Sequence, residues 1–200
     1  VSTYGLTEGW ACGTIGFLDG TIEQRCETSG YPMPGYEFAI ADHKNGNPVP
    51  NGCPGEIIQR GYLVTSGYYK DPDLTAQTIR NSWLHTGDMG IMRDDGYLRF
   101  LGRYKDMLKV GGENVSPMEV EGFLLENMPF ELIAIIGYPD EKLGEIPVAF
   151  VVPNKPSCPS NKKLHEQVHE VCKGEIASFK IPRYVFTLDE MPMTASGKIQ

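Results

Sequence analysis

The chain has 200 residues, and its 18 basic and 26 acidic side chains give a formal net charge of −8. This length accommodates one or two domains, and 40% hydrophobic with 22% charged residues is typical of a globular protein rather than a disordered one. The acidic balance argues against a nucleic-acid-binding or anionic-membrane-binding protein. No apolar stretch approaches the roughly 20 residues that a transmembrane helix needs, so no transmembrane segment is expected. The 23 glycines and 15 prolines predict many turns.

The cysteine pattern argues against a disulfide framework. The number is odd and no C-x-x-C pair occurs; the five positions are Cys12, Cys26, Cys53, Cys158 and Cys172. Reduced thiols in an intracellular protein fit this pattern best, with cytoplasm and mitochondrion both left open.

Short strands and turns are predicted for the first half of the chain. Residues 55–60 follow a turn and indicate a strand, and a short helix is expected from Pro72 or Asp73 to Ile79. Residues 91–100 are typical of a hairpin, because Asp95-Gly96 can supply positive φ at the turn.

Helices and strands alternate in the second half. Ser116, Pro117 and Glu119 form the pattern of a helix start, with Ser116 and Glu119 expected to complete a capping box. The helix should bury Val120, Phe123, Leu124 and Met128. Strands are expected at 132–136, 146–152 and 184–188. Between the last two, Leu164, Val168, Val171 and Cys172 have the spacing of an amphipathic helix. The predicted class is α+β.

One metal motif in this half is rejected. Residues 165–169 read H-E-x-x-H, in which two histidines one helical turn apart can share a zinc ion. Lysines and glutamates surround the motif, and nothing specific supports Glu190 as a third ligand. A solvated helix face is therefore the favoured interpretation.

Four segments carry chemistry when they are taken together. They are residues 4–8 (YGLTE), 83–88 (WLHTGD), 102–114 (GRYKDMLKVGGEN) and 192–199 (PMTASGKI). Each alone has a simpler interpretation as a turn, a surface ion pair or an exposed loop tip.

In this order the four segments resemble the adenylate-forming superfamily, which includes acyl-CoA synthetases, firefly-luciferase-like enzymes and nonribosomal-peptide adenylation domains. The resemblance covers essentially the whole chain, and the wording at 112–117 (GENVSP) is typical of the CoA-ligase branch. It implies that residues 1–105 are the end of the large AMP-binding domain, including its distorted β-barrel, and that residues 106–200 are a small α+β lid lacking its last few residues.

The resemblance also implies the reaction: a carboxylic acid is joined to AMP from ATP, and the acyl group then passes to the thiol of CoA. Lys198 matches the family's late catalytic lysine, which would stabilise the charge that develops during adenylation. Glu8 matches the glutamate that contacts Mg²⁺, and Thr7 would hydrogen-bond phosphate.

Further positions match the family's nucleotide contacts. Tyr4 would offer an aromatic face to adenine, with Gly5 beside it, although core packing is the alternative for the tyrosine. Asp88 would accept hydrogen bonds from the ribose hydroxyls, with Arg103 as a second nucleotide contact.

The match continues into the lid. Asp106 matches the hinge about which the lid swings between the two half-reactions. Gly111 and Gly112 would let the backbone approach the pantetheine arm of CoA, since neither has a Cβ atom. Lys105 and Lys109 lie beside this segment. A role near CoA and a simple position on the solvated surface are equally compatible with both lysines.

The family's Gly/Ser/Thr-rich phosphate loop and most of its acyl pocket are missing from the sequence. The chain is therefore interpreted as the C-terminal part of an enzyme whose N-terminal part is its missing partner, and alone it is expected to be inactive. The leading hypothesis is a fatty-acyl-CoA ligase of medium-chain type. An adenylating enzyme that feeds a carrier-protein thiol and an inactive truncated isoform acting as an interaction module are the alternatives.

Overall fold

The computed structural model describes residues 1–154, 161–195, 197 and 199. The chain divides into two units, Val1–Lys105 and Asp106–Gln200. Strands predominate and four α-helices are described, which confirms the predicted α+β class. Among the described residues, no helix is both long enough and apolar enough to cross a bilayer.

The first unit is built mainly from antiparallel strands. Its elements in chain order are β1 (Thr14–Ile15), α1 (Ile22–Cys26), β2 (Tyr31–Pro32), β3 (Tyr36–Ala41), β4 (Gly55–Gly61), α2 (Pro72–Thr78), β5 (Ile79–Arg80), β6 (Trp83–Met92) and β7 (Leu98–Arg103). Strands β1 and β2 form a small sheet of their own. The larger sheet has the order β3-β4-β6-β5, and β7 also pairs with β6.

The predicted elements of this unit are confirmed, each for a local reason. Helix α2 begins after Asp71, whose carboxylate accepts a hydrogen bond from the Leu74 amide. The predicted hairpin is the β6–β7 connection, and Gly96 adopts a φ of +81° in its turn. A Cβ atom at Gly96 would lie 2.7 Å from the Tyr31 ring, so both space and backbone conformation favour glycine.

The core of the first unit is small and partly aromatic. Its buried members are Tyr4, Ile40, Ile57 and Leu98. The Tyr4 ring packs against two further aromatic rings, with its centroid 5.8 Å from that of Phe100. A core residue of this unit therefore belongs to a predicted binding motif.

The second unit consists of two α-helices and a five-stranded sheet. Its elements are β8 (Leu108–Val110), β9 (Glu113–Val115), α3 (Pro117–Asn127), β10 (Phe130–Asp140), β11 (Gly144–Pro153), α4 (Asn161–Cys172) and β12 (Tyr184–Thr187). The sheet order is β10-β11-β8-β9, and β12 pairs with β11. Among the described strands of this sheet, only β11 and β12 pair in parallel.

Helix α3 begins where it was predicted, but without the expected capping box. Ser116 is the N-cap residue, yet its side chain makes no capping hydrogen bond. The Glu119 carboxylate instead lies 2.5 Å from the Lys180 ammonium, which is 61 residues away in sequence. A contact that is distant in sequence has replaced the local one, so the capping-box prediction is wrong.

The core of the second unit is larger and apolar. Val120 and Leu124 of α3 are fully buried, and Phe123 and Met128 pack against the same cluster, which confirms the predicted buried stripe. Helix α4 adds Leu164, Val168 and Cys172 to this core.

The two histidines of the rejected zinc motif lie on α4. The ring centroids of His165 and His169 are 6.4 Å apart, and His169 is exposed.

Candidate active site

A cleft of about 600 Å³ opens on the first unit. Its size is within the range of small-molecule sites. Three of its lining side chains were predicted as site residues, namely Glu8, Asp88 and Arg103. They come from three separate sequence segments, so folding brings the predicted motifs to one place. The other lining residues are Leu6, His43, Thr86, Gly87, Tyr104 and Lys105.

Asp88 is the buried carboxylate of the cleft, with 6% of its surface exposed. The Tyr4 hydroxyl donates a hydrogen bond to its Oδ2 over 2.8 Å, and the Arg103 Nε lies 3.2 Å from Oδ1. One neutral and one charged donor therefore fix the carboxylate plane. A carboxylate held in this way can accept further hydrogen bonds from a ligand in the cleft.

The segment that carries Asp88 is a bulge within β6 rather than a turn. Glu56 of β4 pairs with Met89 and Ile58 pairs with His85, so residues 86–88 all oppose Ile57. Thr86 closes the bulge, because its hydroxyl donates to the Ile57 carbonyl over 2.7 Å and accepts from the Asp88 amide over 3.1 Å. Bulges of this kind redirect a side chain out of the regular strand alternation.

Tyr4 lies behind the cleft, in the core. Its side chain is 8% exposed, and burial, together with the nearby Asp88 charge, raises the pKa of its phenol. The hydroxyl therefore stays protonated and remains a hydrogen-bond donor to Asp88. These contacts agree with the alternative of core packing and give Tyr4 a role in holding Asp88, whereas adenine stacking on its ring stays a prediction.

The segment after Tyr4 is shaped by close backbone contacts. A Cβ atom at Gly5 would lie 2.2 Å from the Ala11 carbonyl oxygen, so this position accepts only glycine without a shift of the backbone. A 3₁₀ turn then spans Thr7–Gly9. Thr7 is exposed on this turn, and Glu8 points to the cleft.

Glu8 is held by one tyrosine. The Tyr68 hydroxyl donates to Glu8 Oε1 over 2.9 Å, and burial, reinforced by this carboxylate, raises the pKa of the Tyr68 phenol. The carboxylate is thus oriented into the cleft by a neutral donor. It offers a hard oxygen ligand that fits Mg²⁺, which usually takes one or two protein carboxylates beside substrate phosphates and water.

The chain offers no complete protein cage for a metal within the residues that the structure describes. Among them, no group of three or more His, Cys, Asp or Glu side chains has the geometry to hold an ion.

Sequence reasoning did not identify the polar group beneath the cleft. Glu56 is 3% exposed and contacts His85 and His43 through its carboxylate, while the His43 ring stacks on Tyr104 with centroids 3.9 Å apart. The signal that could have indicated it is a charged residue directly before Ile57 and Ile58, the apolar pair of β4.

The remaining predicted site residues lie in the second unit. Asp106 ends a 3₁₀ turn, and Gly111 and Gly112 form the two-residue turn between β8 and β9, with φ of +60° and +89°. Positive φ at both positions is what a tight hairpin of this type requires, which gives the glycines a structural reason as well. Lys198 lies outside the described residues.

Comparison with known proteins bears on the whole chain. Residues 1–69 match the family of AMP-binding enzymes, and residues 119–198 match the AMP-binding enzyme C-terminal domain. The chain is 42% identical over 200 residues to the putative acyl-CoA synthetase YngI of Bacillus subtilis, covering 98% of the chain and 35% of that protein. It is 35% identical to the mitochondrial medium-chain acyl-CoA ligase ACSF2 of Bos taurus, covering 100% of the chain and 32% of that protein.

Solved structures agree with the sequence relatives. The ATP-bound crystal structure of MatB from Rhodopseudomonas palustris superimposes with a TM-score of 0.89 at 32% identity, covering 98% of this chain and 38% of that one. The chain therefore spans about a third of the length of the curated relatives that it matches. On the evidence of both family matches, the whole-chain relatives and the shared fold, the chain belongs to the adenylate-forming superfamily of AMP-binding enzymes.

Proposed function

We propose that this chain is the C-terminal third of an ATP-dependent acyl-CoA ligase and that its cleft binds the nucleotide. The observation that carries the proposal is the convergence of Glu8, Asp88 and Arg103 on one cleft. Two carboxylates and a guanidinium provide acceptors for ribose hydroxyls, an oxygen ligand for Mg²⁺ and a cation for phosphate.

Each of these side chains has a chemical task in the proposed reaction. Asp88 accepts hydrogen bonds from the two ribose hydroxyls, and Arg103 holds Asp88 while it faces the nucleotide. Glu8 supplies an oxygen ligand to Mg²⁺, which would neutralise phosphate charge when bound. Thr7, on the same 3₁₀ turn, donates a hydrogen bond to phosphate. The Tyr4–Gly5 segment forms the wall behind the nucleotide.

Adenylation needs a further cation that the cleft alone does not supply. The carboxylate oxygen of the acid attacks the α-phosphorus of ATP, and the bond from that phosphorus to pyrophosphate breaks. The ammonium of Lys198 would stabilise the negative charge shared by the acid and the α-phosphate, as electrostatic catalysis requires.

The second half-reaction needs a different arrangement of the same chain. The CoA thiol attacks the acyl carbon, its proton is released, and AMP leaves with the bonding electron pair. We propose that rotation about Asp106 exchanges Lys198 for the β8–β9 turn, where Gly111 and Gly112 would pass close to the pantetheine arm. CoA is thus the proposed acceptor and a small carboxylic acid the proposed donor.

A fatty acid is the proposed carboxylic acid. Support comes from the named activity of ACSF2, which is a medium-chain acyl-CoA ligase. The remaining two thirds of the proposed enzyme would supply the phosphate loop and the acyl pocket, so this chain alone should show no ligase turnover. Cytoplasm and mitochondrion are both compatible locations.

The two half-reactions give the test. In the full-length enzyme, Lys198→Ala should suppress carboxylate-dependent ATP–pyrophosphate exchange by a factor of about 100 or more, since one oriented charge contributes this much. CoA-dependent consumption of supplied acyl-AMP should fall much less. Lys162→Ala, an exposed lysine of the same unit, is the matched control and should leave both rates unchanged. Equal loss of both half-reactions in Lys198→Ala would contradict the assigned role.

A further inference from the structure

Glu56 is a buried carboxylate beneath the cleft, and it is not a member of the cleft's lining. It lies at the start of β4, where Ile57 and Ile58 are also buried. A buried carboxylate requires several polar partners to offset the loss of hydration. The positions of those partners indicate what Glu56 does.

Both carboxylate oxygens of Glu56 contact the β6 segment that carries Asp88. The Gly87 amide donates to Glu56 Oε1 over 3.0 Å, and the His85 Nδ1 lies 2.9 Å from Oε2. Gly87 adopts a φ of +70° and directly precedes Asp88. Glu56 therefore holds the bulge by a hydrogen bond on the N-terminal side of Asp88. The Thr86 hydroxyl donates a second hydrogen bond from the bulge to the Ile57 carbonyl of β4.

Oε2 of Glu56 also approaches a second segment of the cleft lining. His43 Nδ1 lies 3.4 Å from Glu56 Oε2, and the His43 ring is stacked on Tyr104 at an interplanar angle of 9°. His43, Gly87 and Tyr104 all line the cleft. Arg80 approaches Oε2 more distantly, at 3.7 Å. One side chain thus contacts two segments of the cleft lining, the bulge at Gly87 and the loop residue His43.

We propose that Glu56 is a positioning residue that sets the nucleotide affinity of the cleft by fixing Asp88 from below and the His43–Tyr104 stack from the side. The inference rests on the proposed function, because it assigns the cleft to a nucleotide. Glu56 itself touches no ligand. Its effect is transmitted through the Gly87 amide and the two imidazoles, and misplacement of a binding group by a fraction of an ångström weakens binding strongly.

Direct binding measurements separate this role from a purely structural one. ATP affinity of the full-length enzyme is measured by isothermal titration calorimetry, beside thermal unfolding and the KM for CoA. Glu56→Leu removes both acceptor oxygens, and we expect it to weaken ATP binding about tenfold or more with the KM for CoA within twofold. Glu37→Leu is the matched control, since Glu37 lies on neighbouring β3 with an exposed carboxylate paired to Arg60. It should bind ATP as wild type does.

Two conservative variants complete the test. Glu56→Gln keeps an oxygen for the Gly87 amide and offers an amide donor to a neutral His85, so it should bind ATP within about threefold of wild type. Glu56→Asp keeps the charge but is one methylene shorter and cannot reach both segments, so it should weaken ATP binding about fivefold or more. This variant decides the matter if Glu56→Leu fails to fold.

The outcomes that overturn the inference are distinct from failure of the proposed function. Folded Glu56→Leu or Glu56→Asp that binds ATP within twofold of wild type overturns it. So does an equal rise in the KM for ATP and for CoA, which indicates a general disturbance of the folded enzyme rather than of the nucleotide cleft. Wild-type enzyme that binds no ATP at all refutes the proposed function, and the inference falls with it.

Discussion

The two units of this chain differ in what their cores contain. The core cluster of the first unit includes Tyr4, whose hydroxyl reaches Asp88 at the wall of the cleft. The core cluster of the second unit consists of aliphatic side chains with Phe130 and Cys172, and burial raises the pKa of the Cys172 thiol to about 11. In the first unit the proposed binding site therefore extends into the core, whereas none of the described core residues of the second unit is a proposed site residue. Substitutions in the two cores should have separable effects.

The largest change in stability is expected from a substitution in the apolar core of the second unit. Leu124 on α3 is fully buried, so Leu124→Ala should lower the free energy of unfolding of this unit by about 2–5 kcal/mol, through lost contacts and a residual cavity. ATP affinity should stay unchanged. Calorimetric unfolding and ATP titration of the full-length enzyme measure the two quantities.

The adjacent residue is the control for that substitution. Leu125 lies on the same helix but is 43% exposed, and Leu125→Ala should change the free energy of unfolding much less. Weakened ATP binding by Leu124→Ala would show that the cores are not separable in this way.

A substitution in the core of the first unit is expected to weaken ATP binding more than it lowers stability. Tyr4→Phe keeps the packing of the ring and removes one hydrogen bond to a carboxylate, which contributes about 1.5 kcal/mol. If that loss is realised in ligand binding, ATP affinity falls about tenfold. The shift in unfolding temperature should be smaller than for Leu124→Ala.

A second buried tyrosine provides the comparison. Tyr97 is 6% exposed in the same unit and is not part of the cleft lining, so Tyr97→Phe should leave ATP affinity unchanged. An equal loss of affinity in both variants would mean that any polar change in this unit disturbs the cleft.

The smallest effect on stability is expected from Glu121, a carboxylate of α3 whose pKa is raised. Burial raises the pKa of Glu121 above its ordinary value of 4.5, although the Ile135 amide donates to Oε1 over 2.8 Å. The protonated form is therefore favoured in the folded state. The stability that Glu121 contributes is present below its unfolded pKa and is lost as pH rises through the raised folded pKa.

Glu121→Gln should consequently stabilise the second unit at pH 7, because the amide is neutral at every pH and has no ionised form that burial disfavours. The amide oxygen can still accept from Ile135, and the difference should vanish below about pH 4. Unfolding temperatures of both proteins across this pH range measure it. A gain that is constant with pH would contradict the titration of Glu121 as its cause.

Local patterns were sufficient to predict most elements of the fold. The positive-φ glycine of the β6–β7 turn and the apolar spacing of α3 and α4 depend on neighbours within a few residues, and all three predictions are confirmed. The capping box failed because Glu119 pairs with Lys180, a contact that no local pattern contains.

The candidate site likewise contains residues that sequence motifs identify and a residue whose contacts are distant in sequence. The family motifs identified Glu8, Asp88 and Arg103, which the cleft brings together. Glu56 was missed because its four partners are 13 to 31 residues away in sequence. Two of them, His85 and Gly87, are placed by the register of β4 against β6. The same register includes the bulge at residues 86–88, for which the sequence alone suggested a turn as the simplest interpretation.

The parallel pairing of β12 has a consequence for how the second unit forms. Val148 to Val151 of β11 pair with Tyr184 to Thr187, across a connection that contains α4. During synthesis the β10–β11 hairpin can form as soon as it is made, but this edge of β11 stays open until more than thirty further residues have followed. Parallel pairing across so long a connection is slow compared with a local hairpin, because chain entropy is lost before the strand contacts form. Completion of this sheet edge should therefore be the late, rate-limiting event in folding of the second unit.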